Sequence, residues 1–280
     1  MRLWRVAIVA VLTALGGCGP DLGSLEKGET GQVVAAFNGD SLELDSGLRV
    51  FLAEIDAPRG DAPYAAQAQG ELESLTLHRR VRLAYGGARR WTPRPRPDQP
   101  APAEPPPETA IAHVFVESEG GRWFWLQHEL VSRGAAYVRP RRDNHVRTPE
   151  LMALEAQARA EERGLWALHD YRVLTTAAAA DLARAANANC MFGDAPYRIV
   201  EASVAEAQVF DRRAALILDT PTATGEFSAV VFGQNFANWD GPSFPTLDGK
   251  RLRIHGTLGV YRDHPQICVD QSAQIEVLDE

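Results

Sequence analysis

Residues 31 to 55 read GQVVAAF, then SLELDSG, then LRVFLAEI, with NGD and DSG at the breaks. Apolar residues alternate or cluster within each run, and the breaks carry the residues that tight hairpin turns need, so three consecutive antiparallel strands are predicted. APYAAQAQGELESLTLH then spaces Ala65, Ala68, Leu72, Leu75 and Leu77 at helical intervals, and RRVRLAY returns to strand alternation. Between Thr92 and Glu108 lie eight of the chain's eighteen prolines. Such a segment can neither pair in a sheet nor wind as a helix, so residues 92–108 are an extended surface insertion interrupting a hairpin.

A fifth strand, AIAHVFVES, follows the insertion, then a Gly120-Gly121 turn and RWFWLQ, where Trp123 and Trp125 share a face suited to packing under a helix, the alternative being a base-stacking platform. LQHELVSRGAAYV and PELMALEAQARAEERGLW have helical periodicity, the second opened by Thr148 as cap and Pro149 at the first turn. This domain spans 30–168. An alanine-rich helix, TTAAAADLARAANA, lies in a linker over 169–192. YRIVEASVAEAQVF, AALILDT, EFSAVVFG, KRLRIHGTLGVY and PQICVDQ then predict a second small β-barrel over 193–280. The expected class is α+β, mainly β.

The first twenty residues, MRLWRVAIVAVLTALGGCGP, place Arg2 and Arg5 before an apolar run too short to span a bilayer. Residues 1–17 therefore form a signal peptide. LGGC resembles the bacterial lipobox, which makes Cys18 a lipidated first residue followed by a polar tether over 18–29; the alternative is an ordinary cleaved signal with an incidental cysteine. The lipobox reading implies an exported protein anchored in the cell envelope, and Gly19 resembles sorting to the outer membrane, facing the periplasm. Export leaves Cys190 and Cys268 where disulfides persist, and one bridge between them is expected. The seven histidines form no metal-binding tract, so neither a structural zinc nor a small-molecule cofactor is expected.

A net charge of −8 argues against a general polyanion binder. Residues 30–168 carry 17 Arg, no Lys and 19 acids, whereas 169–280 carry 9 basic and 15 acidic residues. The arginines cluster in HRRVRLAYGGARRWTPRPRP and RGAAYVRPRRDNHVR, which read either as a solvated surface or as a phosphate-facing one.

Three stretches, NGDSLEL with IDAP, LQHELVSRGAAYV, and LEAQARAEERGLW, resemble the staphylococcal nuclease (thermonuclease) family in order and spacing. The resemblance covers nearly all of the first domain and implies an OB-type barrel with three helices. DGKRLRIHGTLGVY followed by HPQICVDQSAQIEVL is similar, more loosely, to the OB-like module that accompanies such domains in exported bacterial proteins. In the family, two aspartates and the carbonyl after the second bind Ca²⁺; here these are Asp40, Asp56 and Ala57. The resemblance also implies an arginine, a glutamate and an arginine at positions that read Phe51, Arg59 and Thr109.

Loss of a general base costs ~10²- to 10⁴-fold in rate, and loss of an arginine aimed at a phosphoryl transition state ~10³- to 10⁵-fold. The resemblance thus implies a pseudo-enzyme with a weak Ca²⁺ site, acting as a binding module for nucleic acid or an envelope partner. The alternative is an active Ca²⁺-dependent endonuclease or phosphodiesterase with rearranged arginines. Its substitutes would be Arg49, on the same strand face as Phe51, Arg94 and Arg96 in the proline insertion, and Glu54, which strand alternation places beside Asp56.

Overall fold

The computed structural model describes residues 23–92, 107–190, 195–221 and 225–278. Cys18, Arg94 and Arg96 lie outside the described residues.

The first three strands are β1 (Glu26–Asn38), β2 (Ser41–Leu44) and β3 (Arg49–Leu52). After a two-residue strand β4 (Ile55–Asp56) come α1 (Ala65–Thr76), β5 (Arg80–Tyr85) and β6 (Thr109–Glu117). Hairpin pairing joins β1 to β2 and β2 to β3, while β1 pairs on its other edge with β5 and β5 with β6. The ring closes when β6 runs parallel to β3. Closure leaves no long unpaired edge, and alternation sends Val33, Leu42, Leu44, Val50, Leu52, Val81, Leu83 and Val114 into one core. β7 (Trp123–Trp125) extends the sheet from β6, and α2 (Leu126–Ser132), β8 (Tyr137–Val138) and α3 (Thr148–Ala160) complete the domain.

β1 begins five residues before the predicted strand, so residues 26–29 are not tether: Glu26 pairs with Tyr85 and Lys27 with Ala84. Backbone pairing to β5 needs no apolar pattern, and the polar sequence EKGE concealed it. Thr148 is likewise not the cap. It is the first residue of α3, and its hydroxyl donates to Glu54 at 2.7 Å. Gly134 (φ 66°) and Gly164 (φ 56°) bring the ends of α2 and α3 together so closely that a Cβ on Gly134 would lie 2.1 Å from the Arg163 carbonyl oxygen. Only glycine accommodates both the backbone angle and that approach.

α4 (Thr176–Ala186) leads into the second barrel: β9 (Tyr197–Phe210), β10 (Arg213–Leu218), β11 (Phe227–Phe232), β12 (Arg251–Tyr261) and β13 (His264–Val269). β9 pairs with β10, β10 with β11, β11 in parallel with β13, β13 with β12, and β12 back with β9. This is the ring order of the first barrel, strand for strand. Between the third and fourth barrel strands, where the first barrel carries α1, the second has two short 3-10 turns, the later of which sends Phe244 and Leu247 into the core with Ala179, Ala180 and Ala183 of α4. β14 (Ile275–Val277) adds to β12. A disulfide ties Cys190, after α4, to Cys268 on β13 across a Cα separation of 6.0 Å.

The two barrels share a joint. Ala158, Leu165, Trp166 and Ile199 form a small apolar cluster between them, and Tyr137 stacks on Tyr197 with ring centroids 5.6 Å apart. Beside it, His255 of β12, fully buried, lies 3.3 Å from Glu155 of α3 and 2.8 Å from Glu276 of β14. Arg159 and Arg253 also reach Glu276, at 3.2 and 2.9 Å.

Candidate functional site

Asp40 sits at the β1–β2 turn and Asp56 on β4, and both are buried. The turn is shaped by the Asn38 side chain, which accepts from the Asp40 N–H and the Ser41 hydroxyl. A Cβ on Gly39 would lie 2.7 Å from the Cβ atoms of Ala57 and Ala68, so the turn reaches the segment after β4 only through glycine. The Ala57 N–H donates to both acids, to Asp40 Oδ2 at 2.9 Å and Asp56 Oδ1 at 3.2 Å.

A guanidinium spans the pair. Arg59 lies 2.7 Å from Asp40 Oδ2 and 2.9 Å from Asp56 Oδ1, and Arg139, just after β8, lies 2.5 Å from Asp56 Oδ2. Arg139 is held in turn over the Tyr197 ring of the second barrel, 5.4 Å from its centroid. Burial and the neighbouring Asp56 push the Asp40 carboxyl well above its ordinary value of 3.8, with Arg59 pulling against them. Burial acts on Asp56 too, but the hydrogen bond with Asp40 and the charges of Arg139 and Arg59 hold it below 3.8. Asp40 Oδ1 is buried without a hydrogen-bond partner.

The residues present do not fit a divalent ion as they stand. Two carboxylates suit a hard cation, yet two arginines already contact them and supply the positive charge an ion would bring. Among the described residues no group of three or more His, Cys, Asp or Glu is placed to hold a metal. Arg59 stands where the resemblance calls for glutamate, and its guanidinium is a counterion to both aspartates.

The remaining positions are scattered. Phe51 is half-buried on β3 and meets Trp91 edge to face at 5.6 Å. Thr109 is buried at the start of β6, its hydroxyl donating to the Pro107 carbonyl. Arg49 does share the outward face of β3 with Phe51, but it pairs with Glu43 at 3.4 Å and lies over the Phe37 ring. Glu54 is not beside Asp56 in function. Its φ of 65° breaks the alternation between β3 and β4, and its buried carboxylate accepts from the Arg147 N–H and the Thr148 hydroxyl, with His113 at 3.2 Å. It therefore caps α3, where a negative charge is favoured.

Residues 49–168 match the family described as staphylococcal nuclease homologue. A Haemophilus influenzae protein named an uncharacterized endonuclease is 24% identical over 170 residues, covering 59% of this chain and 79% of that protein. The family match begins at Arg49, so the placement of Asp40 beside Asp56 rests on the geometry alone.

Proposed function

We propose that this chain, whose residues 49–168 are a staphylococcal nuclease family domain, is a catalytically degenerate member that binds a nucleic acid or an envelope partner without cleaving it. The observation that supports this most is the Asp40–Arg59–Asp56 bridge. Phosphodiester hydrolysis needs preorganised positive charge at the phosphorane and a base for the attacking water. Here both acids are committed to arginines, and Phe51 and Thr109 offer neither charge nor base.

The test is hydrolysis of DNA and RNA by the soluble chain with and without Ca²⁺. No cleavage above background is expected, and Ca²⁺-dependent cleavage abolished by Asp40→Asn would overturn the reading. The Ca²⁺ site is proposed as a vestige closed by Arg59. Arg59→Ala should cost about 2 kcal/mol, below the range for fully buried pairs because its side chain is 48% exposed. Calcium should restore part of that stability in the variant and change the melting temperature of the unaltered protein little.

Lipid anchoring at Cys18 belongs to the same proposal, placing the two barrels at the envelope surface. Cys18→Ala should shift the protein from the detergent phase to the aqueous phase on phase separation; equal partition of both forms would sink it. Among the described residues no helix is long and apolar enough to cross a membrane.

A further inference from the structure

The second barrel is covered less fully than the first. β9 pairs with β12 only from Tyr197 to Ser203, and its far half, from Ala205 to Phe210, pairs with β10 alone. Val204 ends the covered stretch, donating to the Lys250 carbonyl and accepting from the Gly249 N–H. In the first barrel α1 lies along the matching half of β1, where Gln69 donates to the Ala36 carbonyl at 3.2 Å. The 3-10 turns that replace α1 leave β9 bare. Among the described residues no strand pairs with this edge between Ala205 and Phe210, and no loop backbone bonds to it.

The bare edge carries exposed apolar surface. Val209 stands opposite Ala214 and Ala207 opposite Leu216, and both of those partners are fully buried, so Val209 and Ala207 face the core side of the sheet. Yet Val209 is 52% exposed, and Phe210 beside it 45%. A core-side valine half in solvent marks a sheet that lacks its next strand. The stretch reads AEAQVF, with neither the lysine nor the proline that blunts such an edge. The two-residue turn at Asp211 and Arg212 closes on the Phe210–Arg213 pair. That closure turns the backbone groups of Gln208 and Glu206 toward β10 and those of Val209 and Ala207 toward the open edge.

We infer that β9 continues the sheet into a second copy of this chain, through antiparallel pairing of residues 206–210 with themselves. A two-fold axis normal to the sheet keeps core-side residues on the core side, so it passes through a residue, and Lys250 already occupies the edge at Val204. With the axis at Gln208, Ala207 and Val209 of the other copy exchange main-chain bonds, Gln208 meets Gln208, and Glu206 stands opposite Phe210 and diagonal to Arg212. Moving the axis to Ala207 would drive Phe210 against Val204 and Lys250. The Gln208 register covers both valines, sets an acid beside a base and brings no like charges face to face. A single self-complementary strand is all that a two-fold contact requires. The pairing is independent of the non-catalytic reading, because β9 belongs to the other barrel.

The test is sedimentation equilibrium of the soluble chain, joined to cysteine cross-linking. Five paired residues make a contact near the low end of specific interfaces, so the dissociation constant should be on the order of 10 to 100 μM. Val209→Lys, at an exposed position where the fold is least at risk, and Ala207→Pro, which removes a bonding N–H, should each weaken association about tenfold or more. Gln208→Cys should form a disulfide-linked dimer on mild oxidation, since a non-hydrogen-bonded antiparallel pair sets its Cα atoms about 4.5 Å apart, within disulfide reach. Asp181→Cys on exposed α4 should not. A chain that stays monomeric up to about 500 μM, or association indifferent to both edge variants, overturns the inference. Association lost in those variants without cross-linking at Gln208→Cys above the Asp181→Cys control overturns the antiparallel pairing itself.

Discussion

Arg139→Ala should destabilise the protein by about 3 to 4 kcal/mol, the range for removing one member of a buried ion pair. Arg139 is mostly buried and is the closer of the two arginines to Asp56, at 2.5 Å. Its loss leaves Asp56 with the half-exposed Arg59 and the Ala57 N–H, and strips the Tyr197 ring of the cation above it. Arg139→Lys should recover part of the loss, because the charge returns without the planar fork. Acid unfolding supplies a second readout. Asp56 is held below 3.8, so its contribution is complete above about pH 3.8 and is lost as pH falls through its lower folded value. Removing Arg139 should therefore move the acid-unfolding midpoint upward. Asp40 has the opposite sign: its raised value means that its contribution is greatest below 3.8 and declines as pH rises through the folded value. A melting temperature unchanged in Arg139→Ala would show that the arginine is surface decoration.

His255→Ala should cost about 3 kcal/mol, and the loss should fall on the joint between the barrels. The imidazole lies between Glu155 and Glu276, and without it Glu155 is left buried with the Val138 N–H and a distant Arg159. Burial alone would lower the His255 pKa, but the carboxylates of Glu155 and Glu276 outweigh it and raise the value above 6.5, with Arg159 opposing. The stabilisation is thus full below about pH 6.5 and is lost as pH rises through the folded value. Burial works against Glu276 as well, yet His255, Arg159 and Arg253 hold its pKa down to about 2, so its contribution is full above 4.5 and lost as pH falls through about 2. The joint should be firmest between roughly pH 4.5 and 6.5. Thermal melts across pH should show wild type losing stability above that window and His255→Gln losing much less. Limited proteolysis near residues 169–175 should quicken in parallel. A parallel decline in both proteins would assign the pH dependence elsewhere.

What the sequence determined by itself was local. Turn residues and period-two alternation marked the strands of both barrels. β9 runs from Tyr197 to Phe210 as the alternation has it, and the switch to helical spacing marks α1 between third and fourth strands. Once five such strands exist, burying one face and leaving no open edge favours the closed ring, so the architecture follows from the pattern. The convergence of Asp40 and Asp56 was legible only through the family resemblance, because they lie 16 positions apart and no spacing rule links a turn to a short strand.

What only the tertiary structure decided was which groups answer the buried charges. Arg139 lies 83 positions from Asp56 and belongs to a basic run that reads as either solvated or phosphate-facing surface. Arg59 reads as a missing glutamate, and the geometry shows it bridging both acids. His255 alternates with Arg251 and Arg253 on the outward face of β12, which predicts exposure, but α3 of the other domain packs over that face and buries it. Glu54 fails in the same way, since a left-handed backbone angle between two strands turns its side chain toward the start of α3. Alternation states which side of a strand a residue faces. It does not state what lies on that side, and in a low-dielectric interior the partner, not the residue type, sets whether a charge is a site, a counterion or a cap.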